Sequence, residues 1–249
     1  MKELHGAQRE AVLPLFQAYS SNRAVIFSVL EGQYDGHIFA DNETQPRWAL
    51  LTAPFLQHFV AGEPIEGCAE ALEELLFQRI LPAQEEKELV VFGDGERWHG
   101  SLGEVFTRHH GISDGRKILA FSPEGFRGIP RPALPAAIHC SLLQSKLHPA
   151  SRQATWSARL TQDEQVICHC DALMIGDGLA ELDIFTEEAY RGRGYATYAA
   201  ILLINQLLRE GLTPTWSCWP YRVESQHLAQ KLGFLPQPDA QAFIWAEGM

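Results

Sequence analysis

The residues best placed to do chemistry are Tyr190-Arg191-Gly192-Arg193-Gly194-Tyr195-Ala196-Thr197. They stand between Leu179–Thr186, which reads as a strand, and Tyr198–Arg209, which reads as a helix. A strand, a short basic glycine-rich turn and a helix N-terminus together make an anion cradle. Glycine lets the backbone turn tightly and approach a ligand closely. The first helical amides have no partner inside the helix, and the helix dipole favours negative charge there. Arg191 and Arg193 add positive charge, so the predicted ligand is a phosphate or pyrophosphate. No G-x-x-x-x-G-K-[ST] string is present. Gly192 and Gly194 supply two glycines of a dinucleotide fingerprint, but Thr197 stands where the third would be.

The pattern that fits is [R/Q]-x-x-G-x-[G/A], filled by Arg191, Gly194 and Ala196. On this loop the chain resembles the GNAT superfamily of acyl-CoA-dependent N-acetyltransferases. The flanks extend the resemblance. Pro214–Cys218 reads as the next strand, and Glu224–Phe234 as a helix with the Lys-Leu-Gly-Phe ending common in that superfamily. The phrases T-x-x-x-Y-R-G-x-G-x-A-T, W-x-C and S-x-x-L-A-x-K-L-G-F are similar to one branch, the zwittermicin A resistance-type acetyltransferases, which carry an extra N-terminal domain.

The resemblance implies a mixed, mostly antiparallel sheet flanked by helices, preceded by a smaller α/β domain. It implies acetyl-CoA as co-substrate, no metal, and a primary amine of a small molecule as acceptor. A protein amine as acceptor and a non-catalytic acyl-CoA-binding module are the alternatives. The main chain of Ile184, Phe185 and Thr186 is expected to bind pantetheine and the thioester carbonyl, and Arg191–Thr197 the pyrophosphate. Acetyl transfer needs deprotonation of the amine, stabilisation of an oxyanion and protonation of the leaving thiolate. Glu181 and Asp183 lie two apart and share a strand face, so either is a candidate base. The tyrosine common in the helix before Gly-Phe is Ala229 here, which leaves Tyr221 as the nearest acid. The asparagine that often precedes this helix is Arg222. Arg222 and Ser225 are carried as candidate cofactor contacts, with capping or packing as the alternative for Ser225. Trp216, Trp219 and Tyr221 either line an acceptor pocket or pack as core aromatics.

The whole chain sets bounds. Its 249 residues suit one large domain or two small ones. No apolar run approaches the roughly twenty residues of a membrane span, and Met1–Gly6 lacks a signal-peptide core, so a cytoplasmic protein is expected. Five cysteines and no secretion signal argue for free thiols. Cys168-His169-Cys170 is read as strand alternation, not as a metal site, because no partner pair has zinc spacing. A net charge of −11 disfavours nucleic acid and suits a cationic amine. Oligomeric state is open, with a homodimer among the options.

Along the chain, residues 3–19 are predicted helical, and 24–30, 34–40 and 47–52 are predicted strands forming an antiparallel meander. Further elements are a helix at 68–80, a strand at 88–92, a helix ending near 110 and a strand at 117–121. The Pro/Gly-rich stretch Ser122–Pro132 is the expected boundary between an N-terminal domain, 1–125, and a GNAT domain, 126–249. A helix is predicted at 137–146, then strands at 153–160, 165–174 and 243–245. The helix-then-strands order of the N-terminal part loosely echoes a GNAT half, so a divergent tandem is one option.

Overall fold

The computed structural model describes residues 1–249. The chain begins with β1 (Lys2–Glu3), a 3-10 turn leading into α1 (Leu13–Phe16), α2 (Arg23–Leu30), β2 (Ile38–Ala40), β3 (Trp48–Thr52) and β4 (Gln57–Gly62). Next come α3 (Cys68–Glu73), a π-helical turn leading into α4 (Leu81–Ala83), β5 (Glu88–Gly93), α5 (His99–Arg108) and β6 (Ile112–Phe121). The remainder is α6 (Pro123–Phe126), β7 (His139–Ser145), β8 (Thr155–Gln162), β9 (Gln165–Gly176), β10 (Leu179–Thr186), α7 (Tyr195–Arg209), β11 (Thr213–Cys218), α8 (Val223–Lys231), β12 (Phe234–Pro236) and β13 (Ala240–Ala246). Only β4–β5 and β10–β11 pair in parallel, so the mixed, mostly antiparallel α/β class is as expected. No helix is long and apolar enough to cross a membrane.

Two compact units alternate along the sequence. Unit 1 is Met1–Asn22, Asp35–Arg116 and Asp239–Met249; unit 2 is Arg23–Tyr34 and Lys117–Pro238. The division sorts charge. Unit 1 has eight Lys/Arg against nineteen Asp/Glu, the whole net charge of −11, and unit 2 has twelve of each.

In unit 2, β7, β8, β9 and β10 form an antiparallel run. The helix α7 crosses over to β11, which lies parallel to β10 and antiparallel to residues 117–120 of β6. Tyr195, Ala199, Leu203, Ile204 and Leu207 recur at helical spacing on α7. They are buried with Ala158, Leu160, Cys168, Cys170, Ala172 and Leu182 of the sheet. Each fully buried Leu or Ile contributes roughly 1.5–3 kcal/mol. The helix α2 packs on β9 where Gly176 meets Phe27 and Ser28. A Cβ at Gly176 would stand 2.3 Å from the Ser28 amide nitrogen, so only glycine admits the helix so close.

Unit 1 repeats this order. β2, β3 and β4 form an antiparallel meander, a helical segment crosses to parallel β5, α5 follows, and β6 pairs with β13, which pairs with β5. Its β4–β5 ladder runs to the end of β5, Gln57–Val60 against Val90–Gly93. The Asp94 amide donates to Val60 O at 3.0 Å, and the Gly62 amide to Asp94 Oδ2 at 3.0 Å. The Tyr19 hydroxyl is shared between the carbonyls of Val60 and Phe92.

Three local readings are corrected. Residues 24–30 form α2, not a strand; its residues Ala24–Val29 are all buried, and a short apolar run of this kind does not distinguish buried strand from buried helix. The meander is therefore made by β2, β3 and β4. Residues 137–146 contain β7, not a helix, because pairing with β8 from His139 to Ser145 overrides local propensity. The first helix is a 3-10 turn, Gly6–Val12, and the single α-turn Leu13–Phe16. All five cysteines are free.

His58 on β4 is 1% exposed, and neither ring nitrogen has a hydrogen-bond partner. Burial pushes its pKa down to about 3. The folded chain thus keeps it neutral while the unfolded chain protonates near 6.5. Stability is fully present above pH 6.5 and falls by about 1.4 kcal/mol per pH unit as pH drops toward 3. His58→Leu is expected to remove that component, so acid unfolding followed by tryptophan fluorescence should begin at lower pH than in wild type. An unchanged acid midpoint refutes this.

Candidate functional site

The site in unit 2 is built on a fork between two strands. β10 and β11 pair only over Leu179–Glu181 and Thr213–Thr215. Beyond that point β10 stays with β9 as far as Thr186↔Cys168, and β11 stays with β6 as far as Cys218↔Lys117. Glu181 holds the crotch. Its Oε2 accepts the Thr215 hydroxyl at 2.5 Å and its Oε1 accepts the Ser217 hydroxyl at 2.6 Å. Successive peptide groups of a strand point to opposite neighbours. The Glu187 amide donates to Ile167 O at 2.9 Å, on the β9 side. Alternation then turns the Phe185 amide toward β9 and those of Ile184 and Thr186 toward the open side. The Thr186 carbonyl agrees: it accepts Arg191 Nε at 3.1 Å.

The glycine loop closes the open end of the fork. Gly192 and Gly194 have φ of 74° and 81°, a region side chains rarely adopt. Gly194 is the N-cap of α7, and no side chain caps it. Tyr198 is the first amide to bond back, to Gly194 O at 3.0 Å, so the turn at Tyr195, Ala196 and Thr197 presents its amides outward. Arg191 and Arg193 are exposed, and Arg193 Nη2 donates to Ala189 O at 3.0 Å. Lys231 on α8 brings another cation, its Nζ 3.4 Å from Thr197 Oγ1. This is a basic cradle lined by amide donors, as the loop pattern predicts. The corresponding turn of unit 1 has the same N-cap geometry at Gly67, φ 79°, but carries Pro64 and Glu66 at the two arginine positions, with Glu63 just before them.

Glu181, Asp183 and Phe185 share the face of β10 away from α7. Phe185 is 43% exposed. Asp183 lies directly opposite Asp171 on β9, and Phe185 opposite His169. The Asp183 carboxyl is held above the ordinary carboxylate range by partial desolvation against the sheet first, with His169 opposing and the Asp171 charge adding to it; the residue is solvent-exposed, which tempers the effect. Cys168 and Cys170 sit in the core on the other face, as strand alternation requires. Thr186 Oγ1 donates to Cys168 Sγ, which leaves its main chain for the fork.

The remaining expected residues follow β11. Tyr221 is 67% exposed, with the Arg222 guanidinium 5.3 Å from its ring centroid. Arg222 is the N-cap of α8 without a side-chain cap bond. Ser225 does not cap; its Oγ accepts the Trp216 indole N–H at 3.0 Å and ties α8 to β11. Trp216 is core, packed against Phe234. Ala229 is fully buried, so α8 offers no acid at that position. Sequence reasoning missed His169, Asp171 and Lys231 as site residues.

Comparison with known proteins agrees with this geometry. Residues 153–243 match the GNAT acetyltransferase family model. An uncharacterized N-acetyltransferase, YdfB of Bacillus subtilis, is 22% identical over 225 residues, 84% of this chain and 85% of that protein. A GCN5-related N-acetyltransferase-like protein from Streptococcus suis superposes with TM-score 0.70 at 21% identity, covering 96% of this chain and 98% of that one. A tandem GNAT protein from the clavulanic acid biosynthesis pathway superposes with TM-score 0.64 at 10% identity, covering 100% and 99%. The fold is the GNAT fold, and together these likenesses support the GNAT acetyltransferase family.

A raised carboxylate pKa means the folded state disfavours the ionised form. Its contribution to stability is present below the unfolded value, near 3.9, and is lost as pH rises through the folded value. Asp183→Asn is therefore expected to raise the thermal unfolding midpoint at pH 7.5, with the gain shrinking toward pH 4. A lower midpoint at pH 7.5 contradicts this account of the face.

Proposed function

We propose that the chain is an acyl-CoA-dependent N-acyltransferase that moves an acetyl group from acetyl-CoA to the primary amine of a small cationic molecule by direct transfer. The observation that carries the reading is the fork between β10 and β11 ending in an uncapped, glycine-lined helix N-terminus. In this reading Arg191, Gly192, Arg193, Gly194, Tyr195, Ala196 and Thr197 hold the pyrophosphate, by amides first and by guanidinium charge second. Pantetheine lies in the fork, where Ile184 and Thr186 amides replace the missing β11 ladder. One of them donates to the thioester carbonyl as it becomes an oxyanion. Phe185 contributes its ring to the acceptor face.

The acceptor must arrive on the face of Glu181 and Asp183, because α7 covers the other. Carboxylates there suit an ammonium group. Both Glu181 oxygens already accept hydroxyls, so its role is to hold the crotch. Asp183 keeps a carboxyl of raised pKa beside the acceptor. Tyr221, beyond the end of β11, is the proposed proton donor to the departing thiolate, with Arg222 over its ring. Ser225 and Arg222 sit where α8 starts and complete the wall. No step calls for a metal. The likeness to the zwittermicin A resistance-type branch belongs to the same proposal, supported by the presence of a second unit, although that unit is built from both ends of the chain.

Isothermal calorimetry with acetyl-CoA tests the reading. Wild type is expected to bind about one molecule per chain, because the unit 1 ladder runs to the end of β5 and its turn is acidic. Gly194→Asp puts a carboxylate into the cradle at a positive φ, with its Cβ 3.4 Å from Pro132. It should weaken binding at least ~100-fold, about 2.7 kcal/mol. If wild type does not bind, the acyl-CoA reading fails. A stoichiometry of two removes the argument about unit 1. Thiol release with a panel of amines then separates an enzyme from a binding module.

A further inference from the structure

Across β8 and β9, four polar side chains stand in a line. Arg159 Nε donates to Ser157 Oγ at 3.2 Å, and the Ser157 hydroxyl donates to Asp171 Oδ1 at 2.5 Å. The other oxygen, Asp171 Oδ2, lies 3.1 Å from His169 Nδ1. The strands put these groups in register: Ser157 opposite Asp171, Arg159 opposite His169, Asp171 opposite Asp183, and His169 opposite Phe185. Two carboxylates directly opposite each other on neighbouring strands destabilise a sheet. Such a pair, beside a histidine, on the open face next to the Ile184 and Thr186 amides, has the composition of a proton-transfer site.

We propose that His169 is the general base of the transfer reaction, with Asp171 as the positioning residue that fixes its tautomer and Arg159 and Ser157 orienting Asp171 in turn. The inference rests on the acyltransferase reading. Three observations carry it. First, Asp171 Oδ2 lies 3.1 Å from Nδ1, at ion-pair distance though without hydrogen-bond alignment, so its charge favours the neutral ring's proton on that buried nitrogen, which has no other partner, and leaves the lone pair on Nε2. Second, the His169 side chain is 27% exposed, on the face of β9 opposite the buried Cys168 and Cys170. Third, the carboxylate expected to be the base, Glu181, has both oxygens engaged by β11 hydroxyls. The charged groups facing His169 are Asp171, Asp183 and Arg159. The Asp171 contact dominates and raises the imidazole above its ordinary value, with burial opposing.

The chemistry balances. Nε2 of neutral His169 takes one proton from the substrate ammonium. The freed nitrogen forms a bond to the thioester carbon, and the C–S bond breaks with its electron pair on sulfur. The thiolate takes a proton from the Tyr221 hydroxyl, giving the free CoA thiol, and the second nitrogen proton replaces it on Tyr221. The imidazolium returns its proton to water. Overall, one amide, one thiol and one proton are formed from ammonium and thioester.

The test uses the full chain, acetyl-CoA and the amine that gives fastest thiol release with wild type. His169→Gln should lower kcat by about 10²–10⁴-fold, the usual worth of a general base, while calorimetric acetyl-CoA affinity stays within about threefold. His169→Asn is the second variant should the first fold poorly. Asp171→Asn removes the charge that raises the imidazole. It should move the acidic limb of the kcat profile to lower pH and lower the ring titration point seen by NMR, a readout that needs no turnover. The inference is overturned if His169→Gln keeps kcat within threefold, or if the acidic limb ignores Asp171→Asn. In either case the acyltransferase reading survives, because wild type still turns over. If wild type binds acetyl-CoA but no amine releases thiol, the enzyme reading falls and this inference with it.

Discussion

The site of this protein depends on a ladder that stops after three residues. Parallel strands β10 and β11 would gain hydrogen bonds by continuing together. Instead each follows its outer neighbour, β9 on one side and β6 on the other. The divergence leaves backbone amides that cost free energy unless something bonds to them. Glu181 makes the divergence sharp by bridging to the hydroxyls of Thr215 and Ser217 at the crotch. A carboxylate with two short hydroxyl bonds is a good clamp and a poor base. Both oxygens of the residue that sequence position marks as a candidate base are thus engaged in shaping the gap.

Unit 1 shows what the same order of elements does without the gap. Its parallel pair stays together to the end of β5, and Tyr19 occupies the carbonyls of Val60 and Phe92. Both units begin the crossover helix at a left-handed glycine, Gly67 or Gly194, with nearly the same φ. Backbone geometry at that helix start is thus shared, and charge differs. Arginines stand before Gly194, glutamates before Gly67. An N-terminal dipole worth a few tenths to one kcal/mol favours an anion, and the Glu66 carboxylate opposes it, while Glu63 is paired with Arg97. Anion binding at a helix start is decided by what the preceding turn carries.

The loop was legible because its requirements are local. Positive φ at Gly192 and Gly194, basic flanks and a helix start all fall within eight residues, and each leaves a mark on residue type. The alternation that separates Cys168 and Cys170 from His169 was legible for the same reason. What was illegible is non-local. The apolar run 24–30 satisfies a buried strand and a buried helix equally, and only its burial in unit 2 as α2 decides. The strand at 139–145 carries no strong pattern and exists because β8 pairs with it. Asp171 and His169 lie more than ten residues from Asp183 and Phe185 in sequence. Their juxtaposition follows from the β9–β10 register, which no single segment announces.

Register also explains why the chemistry falls on one face. A slip of one residue moves every side chain of a strand to the opposite side. Between Glu181 and Leu182 the β9–β10 ladder shifts, so that Glu181 opposes Met174 while Asp183 opposes Asp171. Without that irregularity, a ladder set by Glu181 and Met174 would bring Asp183 opposite Ala172, a residue of the α7 core. The bulge thus lets β9 serve two masters. Its far end closes on α2 at Gly176, and its near end presents His169 and Asp171 to the open face while Cys168, Cys170 and Ala172 stay in the core. Bulges next to active sites re-aim side chains in this way, and here the re-aiming places an acid–histidine pair beside the fork.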